Sequence, residues 1–147
     1  MLVKIKFKIM SRIKSFHTYL TKENSNQLIM KYIRHKVTDD MGWMKPGMAD
    51  WGIYSGDNLV AVFYLDDEKP DLFIRGLEIK EEFRGKGYGK KVLDLIRNYA
   101  KSKKYKFLTL NFYKSNDIAK KLYIGYGFIE DKYQSEKSPV INLRIEI

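Results

Sequence analysis

The sequence predicts a single α/β domain in which helices cover both faces of a mixed β-sheet. Strand-like runs follow one another across the middle of the chain, two helical patterns each lie between predicted strands, and turn residues separate these segments. A helix that crosses between strands of one sheet favours a mixed sheet with helices packed on its faces. At 147 residues the chain has the size of one domain, so we predict one domain over residues 1–147.

The first third of the chain predicts a strand, a helix and a loop. Residues 3–9 alternate between apolar residues and lysine, which is typical of a strand with one apolar face. Thr21 precedes a pattern that predicts a helix over about 22–36. The inward positions of this helix would be Leu28, Ile29, Tyr32 and Ile33. Glycine and proline interrupt residues 37–50, so we predict a loop there.

The middle of the chain predicts three consecutive strands. Residues 51–55 and 59–65 are rich in β-formers, and the turn signal Gly56-Asp57-Asn58 between them predicts a hairpin. Residues 72–79 form the next predicted strand. Gly76 inside this strand indicates a bulge or a close backbone approach.

The last third predicts two helices and three strands. Glycines at 85, 87 and 89 precede a helix that runs to about Ser102. Its apolar residues at helical spacing are Val92, Leu93, Ile96 and Ala100. A strand over 107–112 leads to a helix over 116–126, which ends at Gly127. Residues 128–133 and 140–147 are predicted to be the closing strands.

The composition excludes several classes of protein. The chain has no cysteine, which rules out disulfides, thiolate nucleophiles and cysteine-ligated metals, and its two histidines are too isolated to predict a metal site. No apolar run reaches the roughly 20 residues of a membrane span, and the lysines among residues 3–9 argue against a signal peptide. We therefore expect a cytoplasmic protein with no membrane partner.

The net charge of +10 suggests a polyanionic partner such as nucleic acid, an acidic protein surface or a phosphate-bearing ligand. A simple bias toward lysine and tyrosine would explain the charge equally well. The basic clusters at 4–14 and 101–106 are not interleaved with aromatic residues in the manner of a nucleic-acid platform.

The segment 77–91 is the most informative part of the sequence. It runs from a strand through a glycine-rich turn into a helix, and Arg84, Lys86 and Lys90 add positive charge. The N-terminus of a helix presents unpaired N–H groups and a partial positive charge, which suits a phosphate. A Walker A loop would need a glycine at position 84 and Ser or Thr at 91, and G-x-G-x-G departs from the dinucleotide fingerprint.

Two motifs in the fixed order of one family give the segment a more specific interpretation. Arg84-x-x-Gly87-x-Gly89 resembles the pyrophosphate signature of the GNAT superfamily of N-acetyltransferases. The run from Asn116 to Phe128 is similar to that family's N-x-x-A-x-x-L-Y-x-x-x-G-F helix. The resemblance covers roughly residues 72–130. It implies a GNAT-like, mostly antiparallel central sheet of about six to seven strands with helices on both faces.

The resemblance implies acetyl-CoA as the cofactor, with residues assigned along its length. The pyrophosphate would lie on the backbone of the glycine segment, and the pantetheine arm would pair with the strand near the bulge. The second helix would place Asn116, Ala119 and Tyr123 on one stripe beside that arm. The cofactor-binding residues expected on this basis are Leu77, Ile79, Arg84, Gly85, Lys86, Gly87, Tyr88, Gly89, Lys90, Asn116, Ala119 and Tyr123.

The resemblance also implies a direct transfer of the acetyl group to a primary amine. The N–H of Ile79 would stabilise the thioester oxygen as charge builds on it. Tyr123 would be the general acid for the departing thiolate, since a phenol with a reference pKa of about 10 can share a proton with a thiol. Glu78 is our first choice of base. Some family members have a glutamate where this chain has Asn111, which cannot act as a base.

Several alternatives stay open at the level of sequence. Other candidate bases are Asp71, Asp39, Asp40, Asp50 or a chain of water. Trp43, Met44, Met48 and Trp51 would line the acceptor pocket or pack the loop against the domain. Tyr54, Tyr64 and Tyr113 are further candidates for the pocket. The alternative functions are a basic nucleic-acid- or ribosome-binding module and a non-catalytic acyl-CoA-binding domain. Exposed edge strands are compatible with either a monomer or a homodimer.

Overall fold

The computed structural model describes residues 27–34, 49–132 and 136–147. Within these ranges the helices are α1 (Tyr88–Ser102) and α2 (Asp117–Tyr126), and a short 3-10 turn spans Glu81–Phe83. The strands are β1 (Leu28–Tyr32), β2 (Trp51–Ser55), β3 (Asn58–Glu68), β4 (Asp71–Ile79), β5 (Phe107–Tyr113), β6 (Ile129–Glu130) and β7 (Val140–Glu146).

The strands form one mixed sheet in the order β1-β2-β3-β4-β5-β7-β6. The pair β4–β5 is parallel, and the other neighbouring strands are antiparallel. This confirms the predicted mostly antiparallel sheet of six to seven strands. The predicted hairpin is also present: β2 and β3 meet at Gly56, whose φ of 59° suits the turn.

The parallel pair β4–β5 is closed at one end and open at the other. Residues 71–74 of β4 pair with 107–110 of β5, and no pairing between the two strands continues beyond Ile74 and Leu110. β4 nevertheless continues along β3 as far as Ile79. A register shift opposite Gly76, which has a φ of 62°, confirms the predicted bulge. The bulge redirects the end of β4, so a gap opens between β4 and β5.

The main hydrophobic core lies between the sheet and the two helices. α1 buries Val92, Leu93, Ile96 and Ala100, which are the residues that the helical spacing predicted. α2 contributes Tyr123, and its Tyr126 hydroxyl donates a 2.6 Å hydrogen bond to Asp94 of α1. A smaller cluster of buried residues comprises Ile33, Ala49, Leu59 and Val62. The packing of α1 and α2 fixes the floor of the gap beside β4.

The helix predicted over about 22–36 is wrong where the structure describes it. Residues 28–32 form β1, which pairs antiparallel with β2. Leu28 and Met30 are buried on one face of the strand, so burial repeats every second residue. Tyr32, the last residue of the strand, is 50% exposed. A short apolar run fits the period of a helix as well as that of a strand. Here the strand forms because pairing with β2 provides hydrogen-bond partners for the backbone.

Other predictions are corrected in extent or fall outside the described residues. Of the strand predicted over 128–133, the described residues form a strand only at β6, Ile129–Glu130, and residue 133 lies outside the described residues. The strand over 3–9, the cap at Thr21 and the loop residues 37–48 lie outside the described residues. Among the described residues, no helix is long and apolar enough to span a bilayer.

Candidate active site

A cleft of about 420 Å³ lies beside the open end of the β4–β5 pair. Three parts of the chain line it: the end of β4, the glycine segment with the start of α1, and one side of α2. These parts are separated in sequence and are brought together by the crossover from β4 through α1 and β5. The lining residues are Leu77, Glu78, Ile79, Phe83, Arg84, Gly85, Gly87, Tyr88, Gly89, Lys90, Asn116, Ile118, Ala119, Leu122 and Tyr123.

The three glycines of the cleft have two different structural roles. Gly85 and Gly87 have φ values of 70° and 81°, and a Cβ added at either would meet no atom within 4 Å. Their requirement is therefore conformational, and they leave open space on the cleft side. At Gly89 a Cβ would lie 2.8 Å from Leu122 Cδ2, so this glycine permits close packing of α1 against α2.

The first turn of α1 has the features of an anion site. Its N-cap is Gly87, which has no side chain that could cap the helix, and the first turn contains no acidic residue. The start of α2 differs: the Asn116 side chain accepts a 3.0 Å hydrogen bond from the Ala119 N–H, and Asp117 lies in the first turn. α1 thus presents N–H donors and a partial positive charge to the cleft, next to Lys90.

An arginine connects the glycine segment to the end of β4. Arg84 Nε donates a 2.8 Å hydrogen bond to the Ile79 carbonyl, and its Nη2 contacts Glu78 Oε1. The Glu78 side chain is 17% exposed and the Arg84 side chain 50% exposed. The glutamate is therefore held at the edge of the cleft by a charge-assisted contact.

The hydrogen bonds at the end of β4 determine where the Ile79 amide points. The Lys80 N–H donates a 2.8 Å hydrogen bond to the Val60 carbonyl of β3. Residues of an antiparallel strand alternate between facing the partner and facing away, and the N–H and C=O of one residue point to the same side. The Ile79 N–H therefore points away from β3, to the same side as its carbonyl and toward the cleft.

Tyr123 lies beneath this edge, with 8% of its surface exposed. Its ring packs against Phe112 and Phe128, with centroid separations of 5.9 and 6.0 Å. Burial, together with the negative charge of Glu78, raises the pKa of the Tyr123 hydroxyl to about 12. The hydroxyl consequently keeps its proton throughout the neutral pH range.

The structure brings nearly the whole predicted site together. Every predicted catalytic and cofactor-binding residue lines the cleft except Lys86, an exposed residue of the glycine segment. Asp71, an alternative base, lies at the opposite end of β4, where Arg144 binds it. Asp50 does not line the cleft. Asp39 and Asp40 are outside the described residues.

Among the residues predicted to line an acceptor pocket or to pack, Trp51 is a core residue. It is 8% exposed, and its ring makes edge contacts with Tyr32 and Tyr99 at 5.2 and 5.1 Å. Tyr54 and Tyr64 pack against the smaller buried cluster, whereas Tyr113 is 65% exposed. Trp43, Met44 and Met48 are outside the described residues.

Three residues of the cleft were missed by the sequence interpretation: Phe83, Leu122 and Ile118. Phe83 is the apolar residue of a charged turn, and its ring contacts Tyr88 at 5.2 Å. Leu122 belongs to the second motif but had been assigned no role. Ile118 lines the cleft and is 85% exposed. The signal available in the sequence was an apolar residue in the predicted first turn of the second motif's helix.

Comparison with known proteins identifies the family. The profile described as Acetyltransferase (GNAT) family matches residues 14–128, most of the chain. The chain belongs to the GNAT family. It is accordingly an acyltransferase, as the two motifs predicted. No curated protein sequence matches the chain.

Solved structures of GNAT enzymes share the fold at low sequence identity. The IAA acetyltransferase from Bacillus cereus has a TM-score of 0.62 and 18% identity, over 82% of this chain and 100% of that one. The PaiA N-acetyltransferase from Thermoplasma acidophilum, in complex with coenzyme A, has a TM-score of 0.59 and 18% identity, over 66% and 59%. The ribosomal-protein-S18-alanine N-acetyltransferase from Escherichia coli has a TM-score of 0.56 and 16% identity, over 66% and 67%.

Proposed function

We propose that this GNAT chain transfers the acetyl group of acetyl-CoA directly to a primary amine, through a ternary complex. One observation carries the proposal: a single cleft gathers the end of β4, the uncapped start of α1 and the motif side of α2. The sequence motifs assigned these segments to one cofactor. Their convergence supports that assignment, because the segments are far apart along the chain.

The start of α1 would bind the pyrophosphate of the cofactor. Gly85 and Gly87 leave space above the backbone, the first turn has no side-chain cap, and Lys90 lines the same surface. A helix terminus whose N–H donors are uncapped favours an anion. Coenzyme A in the PaiA structure supports the same cofactor class for this chain.

The open end of β4 would hold the reacting thioester. The Ile79 N–H points toward the gap between β4 and β5, where it would donate to the thioester oxygen and stabilise the negative charge that develops there. Leu77 and Ala119 line the path of the pantetheine arm on the two sides of the cleft. The chemistry of these residues fits a thioester-bearing cofactor.

Tyr123 would donate a hydrogen bond to the departing sulfur. Its pKa of about 12 makes its hydroxyl a weaker acid than a phenol in water. The same burial raises the pKa of a thiol in the cleft, so the hydroxyl would first donate a hydrogen bond to the departing thiolate and then transfer its proton to it as the general acid.

Glu78 would accept the proton of the attacking amine. It is the one carboxylate that lines the cleft among the described residues, and it lies next to Ile79. The acceptor would be a small molecule or a protein. The Escherichia coli enzyme named for the alanine of ribosomal protein S18 and the spermidine/spermine N-acetyltransferase SpeG from Vibrio cholerae show that both classes occur on this fold.

Thermal unfolding with and without acetyl-CoA tests the cofactor assignment first. At about 100 times the dissociation constant, binding adds roughly 2.7 kcal/mol, which should raise the midpoint by roughly 5–10 °C. Gly87→Glu should abolish the rise, because it places a carboxylate against the phosphates. Gly56→Glu is the matched control: its φ of 59° and open surroundings impose similar strain, at the β2–β3 turn. Equal rises in the two variants would contradict the assignment.

An amine screen then tests the transfer. Initial rates measured against both substrates should give intersecting lines, as expected for a ternary complex. Parallel lines would indicate a covalent intermediate and contradict direct transfer. A midpoint raised by RNA or DNA and unaffected by acetyl-CoA would favour the binding module that the net charge of +10 suggested. Binding of acetyl-CoA with no transfer to any amine would favour a non-catalytic domain.

A further inference from the structure

Arg84 is part of the motif that predicted a pyrophosphate contact, yet its guanidinium is directed to the other side of the site. Nε is bonded to the Ile79 carbonyl at 2.8 Å, and Nη2 contacts the Glu78 carboxylate. Both partners lie on β4, at the place where the acyl group would react. Neither contact faces the uncapped start of α1.

These contacts complete a ring of hydrogen bonds around the end of β4. The Phe83 N–H donates to the Lys80 carbonyl at 2.8 Å, and the Arg84 N–H donates to the Glu81 carbonyl at 3.1 Å, so the 3-10 turn fixes the Arg84 backbone. The Arg84 side chain then returns to Ile79. The peptide unit that joins Ile79 to Lys80 is thereby bonded on both sides, its carbonyl to Arg84 and its N–H to β3. The Ile79 N–H belongs to the preceding peptide unit, and Arg84 contacts both residues of that unit, Glu78 and Ile79.

The charges favour the same interpretation. A guanidinium that forms an ion pair with a mostly buried carboxylate attracts a phosphate less strongly than an unpaired cation does. The cleft already has phosphate donors in the first turn of α1 and in Lys90. Arg84 also places a positive charge beside Glu78, whose negative charge acts on Tyr123. Arg84, Glu78 and Tyr123 thus form an electrostatically connected row along the reacting side of the cleft.

We propose that Arg84 is a positioning residue for acyl transfer, which orients the Ile79 amide and the Glu78 carboxylate and makes no main contribution to cofactor affinity. This inference rests on the proposed function. It assigns separate tasks to the two cations that line the cleft among the described residues: Lys90 acts in binding, and Arg84 acts in the chemical step through Ile79 and Glu78.

The test compares Arg84→Met with Lys90→Met in the full chain. The dissociation constant of acetyl-CoA is measured by calorimetry, and the polarisation of the thioester by the ¹³C chemical shift of bound [1-¹³C]acetyl-CoA. Arg84→Met should leave the dissociation constant within about twofold and move the carbonyl shift back toward that of free acetyl-CoA. Lys90→Met should weaken binding by about tenfold and leave the shift at saturation unchanged.

Kinetics with an amine found in the screen give the second readout. Arg84→Met should lower kcat by about 10- to 100-fold with little change in the KM for acetyl-CoA. In a Glu78→Gln background, Arg84→Met should lower kcat by a smaller factor, because one of the two partners of Arg84 has lost its charge. Arg84→Lys, which can reach only one partner, should fall between Arg84→Met and the wild type, and it serves as the main variant if Arg84→Met does not fold.

The possible failures are distinguishable. If Arg84→Met weakens acetyl-CoA binding as much as Lys90→Met does and leaves both kcat and the carbonyl shift unchanged, Arg84 is a phosphate ligand and the inference is overturned. If the wild-type chain itself neither binds acetyl-CoA nor acetylates any amine, the proposed function is overturned, and this inference with it.

Discussion

The two ends of the β4–β5 strand pair contain similar side chains in different surroundings. At the closed end, Arg144 binds Asp71 through two hydrogen bonds of 3.1 and 2.8 Å, and its guanidinium carbon lies 3.6 Å from the centroid of the Phe107 ring. At the open end, Arg84 binds Glu78. Each end has an arginine–carboxylate pair, but only the pair at the open end faces the cleft.

Each end of the strand pair also has a tyrosine with a raised pKa. At the closed end, burial and the hydrogen bond to Asp67 raise the pKa of Tyr105 to about 12. At the open end, burial and the charge of Glu78 raise the pKa of Tyr123 to about 12. The two pKa values are similar because burial is the main cause at both ends and a nearby carboxylate is the second. Position relative to the gap, and not a perturbed pKa alone, therefore distinguishes a candidate catalytic residue.

The largest effect is expected when the tyrosine of the open end is changed. Tyr123→Phe should lower kcat by about 10²- to 10⁴-fold and leave the dissociation constant of acetyl-CoA nearly unchanged, because the hydroxyl acts on the departing sulfur. Tyr105→Phe is the matched control at the closed end, and its kcat should equal that of the wild type. Steady-state kinetics and calorimetry measure both. Equal losses in the two variants would remove the proposed role of Tyr123.

A smaller effect is expected from the arginine of the closed end. Arg144→Met should lower the free energy of unfolding by about 1–2 kcal/mol, because Asp71, with a side chain only 18% exposed, loses its two charge-assisted hydrogen bonds. Denaturant unfolding measures this loss. Binding of acetyl-CoA should be unaffected, since Arg144 does not line the cleft. A reduced affinity for acetyl-CoA would show that the two ends are coupled.

The bulge that separates the two ends should tolerate alanine poorly. Gly76→Ala should cost about 1 kcal/mol of unfolding free energy, because the φ of 62° is unfavourable for a residue with a Cβ. The stabilisation by acetyl-CoA should fall as well, since the bulge directs Leu77 and Ile79 into the cleft. Gly56→Ala, at a φ of 59°, should cost about the same stability with no change in the response to acetyl-CoA. An unchanged response in Gly76→Ala would contradict the role of the bulge.

A further effect is confined to alkaline pH. A tyrosine whose pKa is raised on folding keeps its proton in the native chain after the unfolded chain has lost it. The contribution of such a tyrosine to the free energy of unfolding is therefore complete below pH 10 and is lost as the pH rises through about 12. The free energy of unfolding should fall from pH 10 to 12, and Tyr105→Phe and Tyr123→Phe should each make that fall less steep. An unchanged slope in either variant would contradict the raised pKa at that tyrosine.

Local patterns in the sequence predicted most of the sheet and both described helices. The hairpin at Gly56, the bulge at Gly76 and the C-terminal end of α2 at Gly127 follow from backbone conformations that glycine favours, with φ values of 59°, 62° and 115°. The buried stripe of α1 follows from helical spacing. The error at 28–32 has the same origin, because a short apolar run fits two periods and only the partner strand decides between them.

The sequence by itself determined the family and almost all residues of the cleft, because ordered motifs encode backbone geometry and helix stripes locally. Only the tertiary structure decided how those residues are used. It directed Arg84 to Ile79 and Glu78, gave Gly89 a role in packing against Leu122, and placed Asp71 at the far end of β4. These outcomes depend on contacts between segments distant along the chain, and spacing within one segment does not specify such contacts.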